Sequence, residues 1–179
     1  MAFKYKGSLD GGSRTLVKVI LDDSTKFHVG DVLTSSGTTD NAGILATSGV
    51  RVLGVIAGIV DANGMPPADD GASGTYVDTY TTASTNTTAK YVAALVDVNV
   101  NSLYSESTGG TLGTTTGSNK ALYMLDVNSV STGCAASTLT ETSASASSGQ
   151  FFSLGLDPED TTRIIVKIKE SLLLGDSGY

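Results

Sequence analysis

Cysteine occurs once in the 179 residues, at Cys134, so no internal disulfide is available and packing or neighbouring subunits must hold the fold. Tryptophan is absent, aromatic residues make up 6%, and there are three prolines. Charged residues are 16%, below the usual level of about a quarter. Basic residues are the scarcer sign, 11 against 18 acidic, which leaves a net charge of -7, and none lies between residues 52 and 89. Phosphate neutralisation needs a basic footprint, so direct nucleic-acid binding is not expected. No run approaches the ~18 apolar residues of a membrane span, and Met1 to Lys6 lacks the apolar stretch of a secretion signal. The expectation is a protein made in a cytoplasm, with no membrane partner.

Ser and Thr are abundant instead, together about a quarter of the chain, beside 21 glycines. Thr and Val suit pleated strands, whereas Gly, Asn, Asp and Ser suit the corners between them. The composition therefore predicts an all-β fold, a compact antiparallel barrel or sandwich with long Ser/Thr/Gly-rich loops and little helix. Core strands are predicted near 14–21, 50–60, 90–100, 121–127 and 162–170. A bent strand pair is expected around Gly30, and short strands over 43–47 and 150–154. In 50–60 (VRVLGVIAGIV) both faces are apolar, which marks a central strand, with Gly54 and Gly58 admitting a close neighbour or a bend. In the last strand Ile164, Val166 and Ile168 share a face that should be buried. Residues 1–13 read as a flexible arm ending in a Gly-rich run, and 14–179 as the β-domain, with a division into two lobes near 65–75 left open. Thr81 to Thr88 reads as a polar low-complexity run, and residues 103–119 as containing a Gly/Thr-rich loop.

The sequence offers no catalytic set. His28, between Phe27 and Val29, has no second imidazole with which to share a metal and reads as a structural residue. Cys134 lacks a Cys-x-x-Cys partner. Gly175-Asp176-Ser177-Gly178 spells the local motif of trypsin-like nucleophiles, but no chain follows it to wall a substrate pocket. Asp61-Ala62-Asn63-Gly64 opens like a calcium loop, yet Met65, Pro66 and Pro67 stand where oxygen ligands belong, so a turn is expected. Asn86-Thr87-Thr88 fits a glycosylation acceptor and reads as an exposed loop, and Asp22-Asp23 and Asp69-Asp70 read as solvated turn residues. No enzyme, cofactor or metal is expected. Interaction is what remains. Phe3 and Tyr5 alternate with Lys4 and Lys6, a pattern suited to adding a strand to another protein's sheet edge. Leu172, Leu173, Leu174 and Tyr179 suit burial in an oligomer or partner interface.

Three stretches are more specific. Val29-Gly30-Asp31-Val32, Ile44-Leu45-Ala46-Thr47 and the run from Val52 to Gly64 resemble the small β-domain of tailed-phage capsid decoration proteins, also called cement or head-stabilising proteins. Leu154 to Asp160, leading into Arg163 to Ile168, is similar to segments of phage virion structural proteins. The resemblance implies a virion protein on the outer capsid surface, commonly a homotrimer, that clamps neighbouring major capsid subunits against internal DNA pressure. It gives the arm, through Phe3, Lys4, Tyr5 and Lys6, an expected role in anchoring to the capsid. The competing expectation is a receptor- or glycan-binding fibre or adhesin module, with Tyr76, Tyr80, Tyr104 and Tyr123 lining its surface.

Overall fold

The computed structural model describes residues 3–37, 42–47, 50–67, 77–107, 124–127, 139–141, 150–160 and 162–169. The fold is all-β and antiparallel, with a single four-residue helix, α1 (Asn86–Ala89), among the described residues. Five strands, β2 (Leu16–Ile20), β8 (Val92–Asp97), β6 (Gly54–Asp61), β4 (Val32–Ser35) and β5 (Gly43–Leu45), form one sheet in that spatial order. A second sheet runs β1 (Lys4–Ser8), β9 (Ser102–Ser107), β13 (Arg163–Ile168) and β12 (Phe151–Leu156), extended by β10 (Met124–Val127) and β11 (Leu139–Glu141). β3 (Lys26–His28) and β7 (Thr79–Thr81) make a separate pair. The edges of the five-stranded sheet meet at one parallel bridge, Leu21 to Gly43, but no closed barrel forms among the described residues.

Two apolar clusters use the two faces of the five-stranded sheet. On one face Val32, Ala46, Val52 and Val55 pack with Phe3, Tyr104, Phe151, Ile164, Val166 and Ile168 of the other sheet and its approaches. On the opposite face Leu21, Phe27, Leu33, Ile56, Ile59, Val77, Val92, Ala94 and Val96 pack together. β6 supplies both clusters, which is why its sequence is apolar throughout. A bulge between Ile56 and Gly58 inserts one residue, so Ile56 and Ile59, three apart, both point into the second cluster, opposite Val96 and Ala94. Gly54 has no alternative at its position. A Cβ there would stand 2.3 Å from the Asp97 carbonyl oxygen and 2.6 Å from Val96 Cγ1.

The expected burial of Ile164, Val166 and Ile168 on one face is found. Arg163, on the other face, is nevertheless buried, because its Nε donates to Ser105 Oγ at 2.9 Å and Nη2 to the Ser105 carbonyl. Gly30, at φ +93, makes the bend between β3 and β4. Two expectations are corrected. Residues 4–8 of the supposed flexible arm are the edge strand β1, paired with β9, because the alternation that suits a foreign sheet suits the chain's own. The polar run over 81–88 holds most of α1 and a fully buried Asn86. As for the division near 65–75 that the sequence leaves open, β8 lies after that stretch and is inserted between β2 and β6, which precede it.

Candidate interaction surface

The chain-reversing corner between β8 and β9 brings the two sheets together around a buried carboxylate. Asp97, fully buried at the end of β8, accepts hydrogen bonds from Ser102 Oγ and Tyr104 Oη, both at 2.8 Å, and from the Asn99 N–H at 3.1 Å. Arg14 Nε lies 3.8 Å from the same carboxylate, and its guanidinium carbon sits 3.9 Å from the centre of the Tyr5 ring. Burial, together with the Asp97 charge, pushes the Tyr104 phenol well above its ordinary range, so it stays a donor. Phe3 and Tyr5 each meet Tyr104 edge to face, and Phe3 stacks at 5.0 Å on Phe151. The beginning of the chain is thereby fastened to the body by aromatic packing on one side and a polar network on the other.

Lys6 is fastened as well, 3.0 Å from Asp157 and 2.5 Å from Glu159 in the turn between β12 and β13. Bonds from Ser105, from the Glu159 N–H and from Lys6 hold the Asp157 carboxyl down at about 2. Of the four side chains expected to anchor the arm to a capsid, Phe3, Tyr5 and Lys6 are engaged within the chain, and Lys4 is exposed on β1. What β1 still offers outward is its second backbone edge.

The larger open edge belongs to β2. Thr15 accepts from the Val98 N–H, and Leu21 donates to the Val92 carbonyl, so in the unbroken β2–β8 register odd-numbered residues turn their backbone groups toward β8. Leu16, Lys18 and Ile20 turn theirs away from it. Near Ile20 the approach of Gly43 covers the edge, since the Gly43 carbonyl accepts from the Asp22 N–H. Around Leu16 and Val17 no strand among the described residues pairs with it. Leu16 is 47% and Val17 44% exposed, on opposite faces of the strand. An edge strand with apolar side chains and free backbone groups is a template for another strand. The composition of 14–21 (RTLVKVIL) predicts a core strand and does not distinguish a centre from an edge.

The β3–β4 turn holds the other titratable pair. The His28 N–H donates to Asp31 Oδ2 at 2.8 Å, the ring Nδ1 is hydrogen-bonded to Thr79 Oγ1, and both residues are buried. The same turn accepts the Phe3 N–H at the Gly30 carbonyl and exchanges bonds with Ile56, so it ties β1 to β6. Burial raises the Asp31 carboxyl to about 6 and lowers the His28 imidazole. The stabilising contribution of Asp31, on the order of 3 kcal/mol, is complete below the unfolded value near 4 and is lost as pH rises through 6. That of His28 runs oppositely, present above about 6.5 and lost on acidification. The two offset each other between pH 4 and 6.5. Asp31→Asn is expected to remove the compensation, so that urea midpoints of the variant fall more steeply with acidification than those of the parent. Parallel midpoint curves would show that Asp31 does not titrate in this window.

The remaining expectations resolve by position. Asp61 makes a turn, its Oδ1 accepting from the Asn63 and Met65 N–H groups, which occupies an oxygen that a calcium loop would need. Asn86 is no exposed acceptor: its amide nitrogen donates to the Leu21 and Val92 carbonyls and its oxygen accepts from the Val92 N–H. Tyr104 is buried and cannot line a glycan platform, while Tyr80 is partly buried against the second cluster. Among the described residues no group of three His, Cys, Asp or Glu side chains is placed to hold a metal. Tyr76, Tyr123, Cys134, Asp69-Asp70, Leu172, Leu173, Leu174, the 175–178 motif and Tyr179 lie outside the described residues. Comparison with protein-family models, with curated proteins and with solved structures finds no match to this chain.

Proposed function

We propose that this chain is a structural virion protein that decorates the outer surface of a tailed-phage capsid, as a homo-oligomer, and stabilises contacts between major capsid subunits. One observation carries the reading. The three stretches that resemble decoration proteins, 29–32, 44–47 and 52–64, fall on the β3–β4 turn, β5 and β6, adjoining parts of one sheet. The resemblance is therefore to a contiguous folded unit. The rest of the chain suits a clamp: two sheets locked by a buried polar network, and open strand edges that act through backbone groups. Repetition by capsid symmetry turns weak contacts of this kind into avidity. The net charge of -7 suits a protein outside the genome compartment.

The test is binding to undecorated heads. The full chain, added to purified heads, is expected to co-sediment with them in a saturating ratio of hundreds of copies per particle and to raise the temperature at which DNA is released. A chain that neither saturates heads nor occurs in mature virions would refute the reading. A few copies per virion would favour a fibre component instead.

A further inference from the structure

We propose that β7 is an acid-released latch: protonation of the His28 ring parts β7 from β3 while the rest of the fold stays closed. The imidazole stands at the joint. His28 is paired with Thr79 in the β3–β7 register, is 7% exposed, and bonds Thr79 Oγ1 through its Nδ1. Its Nε2 is buried with no hydrogen-bond partner among the described residues. A neutral ring carries one N–H, the imidazolium one on each nitrogen. Protonation in place therefore sets a donor and a positive charge where no described group accepts them, and parting the joint gives both to water.

The charged groups around the ring do not offset this. Burial lowers the imidazole most, and Lys26 on the same strand lowers it further. Asp31 uses its Oδ2 on the His28 N–H and, raised to about 6 by burial, is itself neutralised as acid is added. On the β7 side Asp78 is exposed and meets the turn through its carbonyl, which accepts the Val29 N–H, while Tyr80 packs on the second cluster. β6 and β1 meet the turn through backbone groups of Ile56 and Phe3, and Lys4 beside Phe3 is exposed.

β7 is the part that yields. Its one strand partner among the described residues is β3, over three residue pairs. One end is fastened, with Thr82 Oγ1 donating to the Asp22 carbonyl and the Thr82 N–H to the Thr25 carbonyl, so the opening starts at the Thr79 end. Asp31 is tied to His28 and Ile56, and neither partner lies on β7. Unfolding of the whole chain exposes both titrating groups, whose effects offset, whereas parting β7 exposes the imidazole alone. The freed ring regains its ordinary value near 6.5, so the open state binds one more proton and its population climbs by up to about tenfold per pH unit below that value. Val77 and Tyr80 leave the second cluster with β7, so acid uncovers apolar surface that neutral pH keeps closed. The inference concerns the isolated chain and stands independently of what it binds.

The test uses the full chain without a tag, in which His28 is the only histidine. Its ring C–H signals are therefore read directly by proton NMR, and their midpoint is expected below 6.5. Hydrogen exchange, corrected for the pH dependence of free amides, should show the opening constant of residues 77–82 rising about tenfold or more from pH 7 to pH 5, and that of β8 by less than about twofold. His28→Gln is expected to abolish the rise. Thr79→Val, which removes the partner and keeps the imidazole, should open more at both pH values and retain it. Should His28→Gln fail to fold, the ring titration and the exchange of the parent still decide. A ring that titrates at 6.5 or above, a β7 opening that ignores pH, a rise shared equally by β8, or a rise kept in His28→Gln would each overturn the proposal.

Discussion

Asp97→Ala is expected to lower the free energy of unfolding by about 3–5 kcal/mol, seen as a fall in the urea midpoint at unchanged slope. The side chain sits where the two sheets meet, and its carboxylate answers Ser102 Oγ, Tyr104 Oη, the Asn99 N–H and, more loosely, Arg14. Alanine leaves all of them without their acceptor, and the Ser102 and Tyr104 hydroxyls are too deeply buried for water to replace it readily. The cost lies in the stranded partners rather than in the lost attraction. Asp97→Asn, which keeps an acceptor oxygen, should therefore cost less, about 1–2 kcal/mol, and Tyr104→Phe a similar amount. Arg14 contributes little, because its side chain is about a third exposed and the contact is 3.8 Å long. An alanine variant within about 1 kcal/mol of the parent would show that the network reorganises or admits water, and would remove it as the lock between the sheets.

That network also explains why part of the fold is legible in the sequence and part is not. β6 and β8 are apolar runs of strand length and β13 alternates, and each lies within a segment that the sequence picks out as a core strand. β9 reads SLYSES, which resembles a loop, yet it is buried in the middle of a sheet. Its hydroxyls are tolerated there because Asp97 accepts from Ser102 and Arg163 donates to Ser105, partners 5 and 58 residues away that no local pattern reveals. Asn86 was hidden for the same reason: a polar residue in a Thr-rich run becomes core only because the Leu21 and Val92 backbones need its amide. The candidate surface was less legible still. The openness of β2 follows from β8 taking the inner position beside it, a fact of topology that its own composition does not express.

Phe3→Ala is expected to destabilise the fold by about 3–5 kcal/mol, whereas Leu9→Ala, six residues later on the same approach, should change stability by less than about 0.5 kcal/mol. Phe3 is buried between Tyr104 and Phe151, and its N–H is held by the Gly30 carbonyl, so truncation opens a cavity in the cluster that joins the two sheets. Leu9 is mostly exposed and loses only surface contact. The contrast decides how the beginning of the chain works. If residues 3–8 were an arm held ready for a capsid, Phe3→Ala would leave the urea midpoint unchanged and weaken only binding to heads. As the edge strand β1, they should lower the midpoint in the isolated protein, with β9 losing its partner and Lys6 withdrawing from Asp157 in any deletion of residues 2–8. Weak decoration by such a deletion would then report a damaged body. The informative variant is Lys4→Glu, exposed on β1 and outside both clusters: it should leave the midpoint unchanged, so any loss of head binding it causes locates a contact at that edge.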